Sequence, residues 1–563
     1  MSELSLRRLK GVRMGALDLW TVGGLLAAFA VSAPLFAVIY LSMVPDQSDS
    51  HGLWSHLFQT VLPGYVGTTL ALMVGVGLGT FVIGTGTAWL VAQCRFPGRR
   101  IMEWALLLPL AVPAYVLAYV YTDFLEYAGP LQTLLRELFG WSNPRQYWFP
   151  EIRSLGGAIA MMTLVLYPYV YLLARAAFQE QSECLVDASR SLGLSPWQSF
   201  LRVALPMARP AIVVGLALVL METLNDFGTV DFFAVQTFTA GIYDVWLNMS
   251  SVRGAAQLAL VLLVFVFVLL TLERWARRNQ RYHSLTTRRR TTVGYTLRGA
   301  RAWLALLACV LPIGLGFVFP AVVLGRYALD HYQATLDHGY LTIVGNSLTL
   351  SFLGAGVAVL IGLFLAYGVR LSQSPWLRVS TRVASVGYAV PGAVLAVGVM
   401  YPLANIDNAV DGFMYETFAL STGLLLSGTI VAVTYGYVVR FLALSMGTME
   451  AGLGRIKPNM DGAARTLGLS PGQVLSRIHF PLMRGSILTA VLLVFVDCMK
   501  ELPMTVLLRP FNYDTLATYV HQYASDELLE ESAFAALSIV AVGVLPVVLL
   551  SRAIGKSREL GDG

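Results

Sequence analysis

The stretch Asp187-Ala188-Ser189-Arg190-Ser191-Leu192-Gly193-Leu194-Ser195-Pro196 runs on to Leu205-Pro206, and it returns as Gly462-Ala463-Ala464-Arg465-Thr466-Leu467-Gly468-Leu469-Ser470-Pro471, running on to Phe480-Pro481. Between 188–212 and 463–487, twelve of twenty-five aligned positions are identical, where composition alone gives roughly one or two. Upstream the offset changes from 275 to 278. There Gly67, Leu70 and Leu72 answer to Gly345, Leu348 and Leu350, and Val112-Pro113 with Val116-Leu117-Ala118 answers to Val390-Pro391 with Val394-Leu395-Ala396. The chain is two copies of one unit.

Each copy of the stretch reads as helix, sharp turn, helix. A short helix ends at Gly193 or Gly468, where the lack of Cβ suits a left-handed residue. Ser195 or Ser470 then caps a second helix that has Pro196 or Pro471 at its first position, where a missing N–H costs nothing. Pro206 and Pro481 are expected to stop that second helix before the next long apolar run.

Of 563 residues, 56% are hydrophobic and 13% charged, which excludes an ordinary soluble protein and makes lipid the main solvent. Backbone polar groups must be satisfied internally in hydrocarbon, so long uncharged runs are expected as helices. The expected spans are 18–44, 66–92, 101–124, 155–178, 209–226 and 254–272, then 301–325, 344–369, 379–404, 419–445, 484–508 and 533–553. This is an all-α integral membrane fold of about twelve spans in two six-helix repeats. An even number of spans per copy makes the repeats parallel, with a pore expected between them. The boundaries are 1–272, a connector at 273–300, and 301–563. Because 18–65 and 301–343 share little, the first helix of each copy is expected to be peripheral to a common five-helix core.

Basic residues set the orientation. Arg7, Arg8, Lys10 and Arg13 precede the first span, and nine arginines crowd the stretch around the connector, from Arg274 to Arg301. The segments 45–65 and 405–418, read as outside loops, contain no Lys or Arg. Both termini and both copies of the repeated stretch are then cytoplasmic. The net charge of +6 faces anionic lipid headgroups and calls for no nucleic acid. Cys94, Cys184, Cys309 and Cys498 lack paired metal spacing, and no disulfide is expected.

Both stretches resemble the EAA loop of binding-protein-dependent ABC importer permeases: Glu-Ala-Ala, three residues, Gly, nine residues, Ile, one residue, Leu-Pro. Here the matching positions are Asp187-Ala188-Ser189, Gly193, Val203 and Leu205-Pro206, then Gly462-Ala463-Ala464, Gly468, Ile478 and Phe480-Pro481. In copy two the leading acid is replaced by Gly462, with Asp461 one residue earlier. The resemblance implies a type I importer permease of the bacterial inner membrane, whose loops dock on two separate ATP-binding subunits. The contact residues would be Asp187, Ala188, Gly193, Pro206, Ala463, Gly468 and Pro481. It also implies a periplasmic substrate-binding protein and a single permease chain supplying both halves. The chain has no phosphate-binding loop of its own, since Gly555-Lys556-Ser557 has Leu550 where that motif begins with Gly. No catalytic residues and no cofactor are expected.

The run Leu108-Pro109-Leu110-Ala111-Val112-Pro113-Ala114-Tyr115 and the segment Glu501-Leu502-Pro503 resemble fused ferric-iron permeases; thiamine, polyamine and phosphonate permeases share the plan. Glu222 and Asp226 lie one helical turn apart, and the offset of 275 places them over Asp497 and Glu501. Hard carboxylate oxygens suit a cation path. The alternative is that these acids sit at outer helix ends, solvated by water or paired with Lys500 and Asn225. Tyr115, Tyr119, Tyr121, Tyr167, Tyr169 and Tyr171 read as packing residues, and His521 as a loop residue. An ion-coupled secondary transporter is the rival class, and the paired loops argue against it.

Overall fold

The computed structural model describes residues 19–44, 57–181, 189, 191–278, 295–337, 339–372 and 374–559. The long helices are α1 (Leu19–Met43), α2 (Leu62–Gln93), α3 (Ala114–Leu125), α4 (Leu155–Glu180), α5 (Leu205–Asn225) and α6 (Val252–Arg278). In the second half, α7 runs from Ala300 through a π turn to Asp337, followed by α8 (Tyr340–Leu371), α9 (Gly392–Phe418), α10 (Ile430–Gly454), α11 (Arg484–Met499) and α12 (Leu529–Glu559). Among the described residues ten helices are long and apolar enough to cross a membrane, and two bent pairs raise the number to twelve. The fold is a polytopic α-helical membrane protein of two parallel repeats.

Matching residues build matching crossings. A Cβ on Gly84 of α2 would meet Val170 and the Tyr171 backbone nitrogen of α4, and one on Gly362 of α8 would meet Ser445 and the Met446 nitrogen of α10. Val170 and Ser445 are equivalent under the 275 offset. Without water to drive association, close backbone packing at such small residues is what joins membrane helices.

The first helix of each copy is an outer helix, with about a third of its span or less buried. It crosses onto the opposite half. Helix α1 packs on α9 and on the short helix Pro375–Ala384, with Trp20 against Phe364 and Tyr367 at 5.2 Å each. Reciprocally, Phe319 of α7 packs on Tyr121 and Phe124 of the first half, at 5.1 and 4.8 Å, and Tyr327 donates to Asp123 at 2.5 Å. Two fused halves that exchange helices bury apolar surface across their joint.

Hydropathy misplaced several boundaries. The segment 405–418, read as an outside loop, is the continuation of α9; the span read as 419–445 begins at Ile430. Segment 419–429 folds back on that helix, where Asp407 accepts from Leu426 N–H and from the Ser427 N–H and hydroxyl. The span read as 101–124 is broken at Val112-Pro113, with a bend of 88° across the break. Val112 and Val390 are both extended, at ψ 121° and 130°, because a following proline excludes the helical conformation. The span 484–508 also breaks after Met499, resuming as Pro503–Leu508. The connector read as 273–300 starts as the last turns of α6; 279–294 lie outside the described residues, and Tyr295–Thr296 pairs in parallel with Cys94–Arg95.

A Cβ on Gly398 of α9 would strike the Pro34 carbonyl of α1, whereas Gly356 has nothing within 4 Å. Gly398→Val should cost about 1–3 kcal/mol by overpacking and lower the melting temperature in detergent. Gly356→Ala should leave that temperature unchanged.

Candidate functional site

Where both are described, the two repeated loops turn in the same way, through Gly193 to Gln198 and Gly468 to Gln473. Gly193 and Gly468 sit at φ +77° and +82°, the left-handed region. Leu194 N–H donates to Ser189 O and Leu469 N–H to Ala464 O, at 3.1 and 3.2 Å, the six-to-one bond of a Schellman helix end. Ser195 with Gln198, and Ser470 with Gln473, each form a reciprocal capping box over a helix begun by proline. The leucine before each glycine, Leu192 and Leu467, is 79% and 80% exposed. Six spanning segments separate the loops, so both lie on one side. Asp187 and Ala188 lie outside the described residues.

Pro206 does not stop its helix. Pro196 to Asn225 runs as one span, because a π turn at Phe200–Ala204 widens the hydrogen bonding just before the proline, where its missing N–H is absorbed. In copy two the same π turn occurs at Leu475–His479, but the chain then bends by 78° after Leu482. Anchoring differs as well. In copy one Trp89 packs on Phe200 at 5.0 Å, while in copy two Asp461 pairs with Arg370 at 2.9 Å and with buried His479 at 2.7 Å, and Tyr367 donates to Pro471 O. Burial pushes the Asp461 carboxyl up, but the bonds from Arg370 and His479 outweigh it and hold the group below its ordinary value. That stabilisation is present above the ordinary carboxylate range and is lost as pH falls through the lowered value.

Between the halves lies a cavity of about 120 Å³, lined by Glu222, Asp226, Asp497 and Glu501 together with Tyr115, Tyr169, Tyr388, Arg440 and Lys500. The acids are not at solvated outer helix ends. Tyr169 and Arg440 lie near the middle of α4 and α10, so α5 and α11 end at that depth, inside the protein. The four carboxylates share the cavity but do not converge: among the described residues no three His, Cys, Asp or Glu are placed to hold a metal.

Two acids are committed to backbone. Asp226 accepts from Thr229 N–H and hydroxyl and from Val230 N–H, starting the short helix Gly228–Phe232. Its equivalent Glu501 accepts from Met504 N–H, Thr505 N–H and the Thr505 hydroxyl, starting Pro503–Leu508, and pairs with Arg440 at 3.0 Å. Asp497 pairs with Lys500 at 3.0 Å. Asn225, the equivalent of Lys500, accepts instead from Gly392 N–H of the other half at 2.8 Å. On the far side from the loops the cavity is capped by aromatic side chains. Phe227 stacks on Tyr243 at 3.6 Å, and His521 of the second half meets the Tyr119 hydroxyl at 2.6 Å. His521 is thus no loop residue but a contact between halves, and burial pushes its pKa down to about 4. Its repeat equivalent is Trp246, so the repeat carried no signal for it. Arg440 is legible in the sequence as an arginine inside an apolar span.

Two parallel helical halves enclosing a polar cavity at mid-depth, with a matched pair of loops on one face, define a polytopic membrane permease. The chain belongs to the family described as binding-protein-dependent transport system inner membrane component, which it matches twice, at residues 80–282 and 358–559. It is 26% identical to the Fe(3+)-transport system permease protein FbpB 2 of Haemophilus influenzae, over 88% of this chain and 91% of that one. It is 23% identical to the ferric transport system permease protein FbpB of Actinobacillus pleuropneumoniae, over 82% and 67%. The molybdenum transport system permease protein ModB of Escherichia coli is 26% identical over 40% of this chain and 95% of its own, so one half here corresponds to a whole chain there.

Glu501→Ala strands Arg440 and uncaps a helix, and should destabilise by about 3–5 kcal/mol. Asp226→Ala removes a cap alone and should cost about 1 kcal/mol. Thermal unfolding of the two variants in detergent checks the order, and equal losses would contradict it.

Proposed function

We propose that this chain is the membrane-spanning subunit of an ATP-driven importer for ferric iron, which receives its cargo from a periplasmic binding protein. The observation that carries this reading is the matched pair of loops, same-sided and alike in their glycine turn and capping box, at the base of helices that end in a shared cavity. Two separate ATP-binding subunits would each take one loop. Leu192 and Leu467 offer exposed apolar tips, and Gly193 and Gly468 hold the turns. In copy one Asp187 and Ala188 would add to the contact; in copy two Ala463 would, while Asp461 stays turned to Arg370. Pro206 and Pro481 follow π turns that join each loop to its spanning helix. The chain itself is non-catalytic and needs no cofactor, and one copy supplies both halves: repeats 1–272 and 301–563, joined by the cytoplasmic connector 273–300, with both termini inside.

Mechanically, closure of the ATP-binding pair would draw the loops together. Between Leu205 and Glu222, α5 spans about 25 Å at 1.5 Å per residue, so it transmits that movement as a lever. Because α1 and α7 each cross onto the opposite half, the halves pivot about a shared joint rather than separate. The acids of the cavity would favour a cation over an anion. The similarity to ferric permeases over most of the chain supports iron as the cargo.

In vesicles holding this chain, its ATP-binding subunits and a loaded binding protein, labelled ferric iron should accumulate only with ATP. Gly193→Pro and Gly468→Pro, which cannot adopt positive φ, should each reduce uptake at least tenfold while membrane insertion is kept. Uptake driven by an ion gradient without ATP would refute the proposal.

A further inference from the structure

The cavity holds two positive charges with no basic counterpart across the repeat axis, Arg440, which is paired with Glu501, and Lys500. Lys500 has Asn225 as its equivalent, and Asn225 is tied to the backbone of the other half. The remaining charges fall into two groups. Asp226, Glu501 and Arg440 are fixed by the bonds that start the two short helices. Glu222 and Asp497, equivalent under the 275 offset, carry no such backbone bonds and are exchangeable. Asp497 holds the Lys500 ammonium at 3.0 Å, and Glu222 lies within electrostatic reach of Arg440, Lys500 and Asp497, with Asn225 and Tyr388 beside it. Lys500 and Asp497 are partly exposed to the cavity, at 29% and 22% of their side chains.

The lining is also unsaturated. Tyr115 Oη and Arg440 Nε, on side chains about 5% and 6% exposed, have no hydrogen-bond partner. Buried polar atoms are ordinarily paired, and both belong to the wall of this cavity. The Tyr115 hydroxyl oxygen is open to a further occupant, whereas Arg440 Nε–H can only donate and has no part in holding a cation. Two ionised carboxylates at mid-depth are costly without a cation beside them.

We propose that Lys500 is a resident counter-cation of the transport path: its ammonium occupies the Glu222–Asp497 pair while the halves are together, and a hard, oxygen-seeking metal cation takes its place during transit. Lys500 is then a specificity-determining residue. It keeps the pair neutral in the idle importer and denies it to ambient cations, which enter only when movement of the halves withdraws the ammonium. The two carboxylates belong to different halves, so the pair forms and separates with the conformational cycle. This rests on the reading of the chain as a cation importer, but its test needs neither ATP nor partners.

Tyr169 and Tyr388 beside Glu222 supply the readout, since tyrosine transfers excitation to bound terbium(III), a hard cation probe. The purified full chain in detergent should show weak tyrosine-sensitised terbium emission. Lys500→Asn, which installs the residue the first half already carries, should tighten half-saturation at least tenfold, and Lys500→Arg should behave as wild type. The double variant Lys500→Asn with Glu222→Gln should return to wild-type emission. Lys500→Met serves the same comparison if the asparagine variant elutes aggregated. Terbium binding no tighter without the lysine, or a gain that survives loss of Glu222, overturns the proposal. Failed ATP-driven iron uptake with this pattern intact would instead discard the importer reading alone.

Discussion

A helix that stops and restarts within a membrane leaves unpaired C=O groups at the stop and unpaired N–H groups at the restart, and each must find a partner inside the protein. This chain stops helices at four places at one depth: Val112-Pro113, Val390-Pro391, Asn225 to Gly228 and Met499 to Pro503. Asp226 and Glu501 satisfy the restarts after α5 and α11, and Asn225 satisfies Gly392 at the start of α9. The cavity exists because these breaks converge. Carboxylates that look like ligands for a passing ion are, in two cases of four, the caps that make interrupted helices tolerable in lipid.

The repeat supplies the frame, and departures from the repeat supply the chemistry. Gly84 and Gly362 make equivalent crossings, and both loops share the Schellman end and capping box. Arg440, however, has no basic equivalent in the first half, Lys500 answers to Asn225, and His521 to Trp246. The first half lines the cavity with Glu222 and Asp226 and no cation; the second sets two bases against Asp497 and Glu501. A symmetric pair of domains would repel or attract equally on both sides of the axis. Here both ion pairs of the cavity lie within the second half, and the crossing helices α1 and α7 hold the joint together.

Anchoring of the two loops shows the same division. An aromatic contact, Trp89 on Phe200, does for copy one what the Arg370–Asp461–His479 group does for copy two. The ionic anchor weakens with acidity and the apolar one does not, so the two loops are unequal in their response to conditions although their glycine turns and capping boxes match.

The sequence by itself determined the membrane class, the duplication, the loop conformation and the equivalence of Glu222–Asp226 with Asp497–Glu501. Each of these is written in local signals: apolar run length, glycine and proline placement, capping residues and spacing. It did not determine where helices broke, since a window of hydropathy averages across Val112-Pro113 and across the end of α11, and it misread 405–418 because a polar helix at a membrane edge has the composition of a loop. Tertiary structure alone decided that the first helices cross over, that Asp226 and Glu501 are caps, and that His521 bridges the halves. Those facts depend on which backbone groups lack partners and which surfaces meet, and residues 402 apart in sequence, as Tyr119 and His521 are, meet only when the two halves pack together.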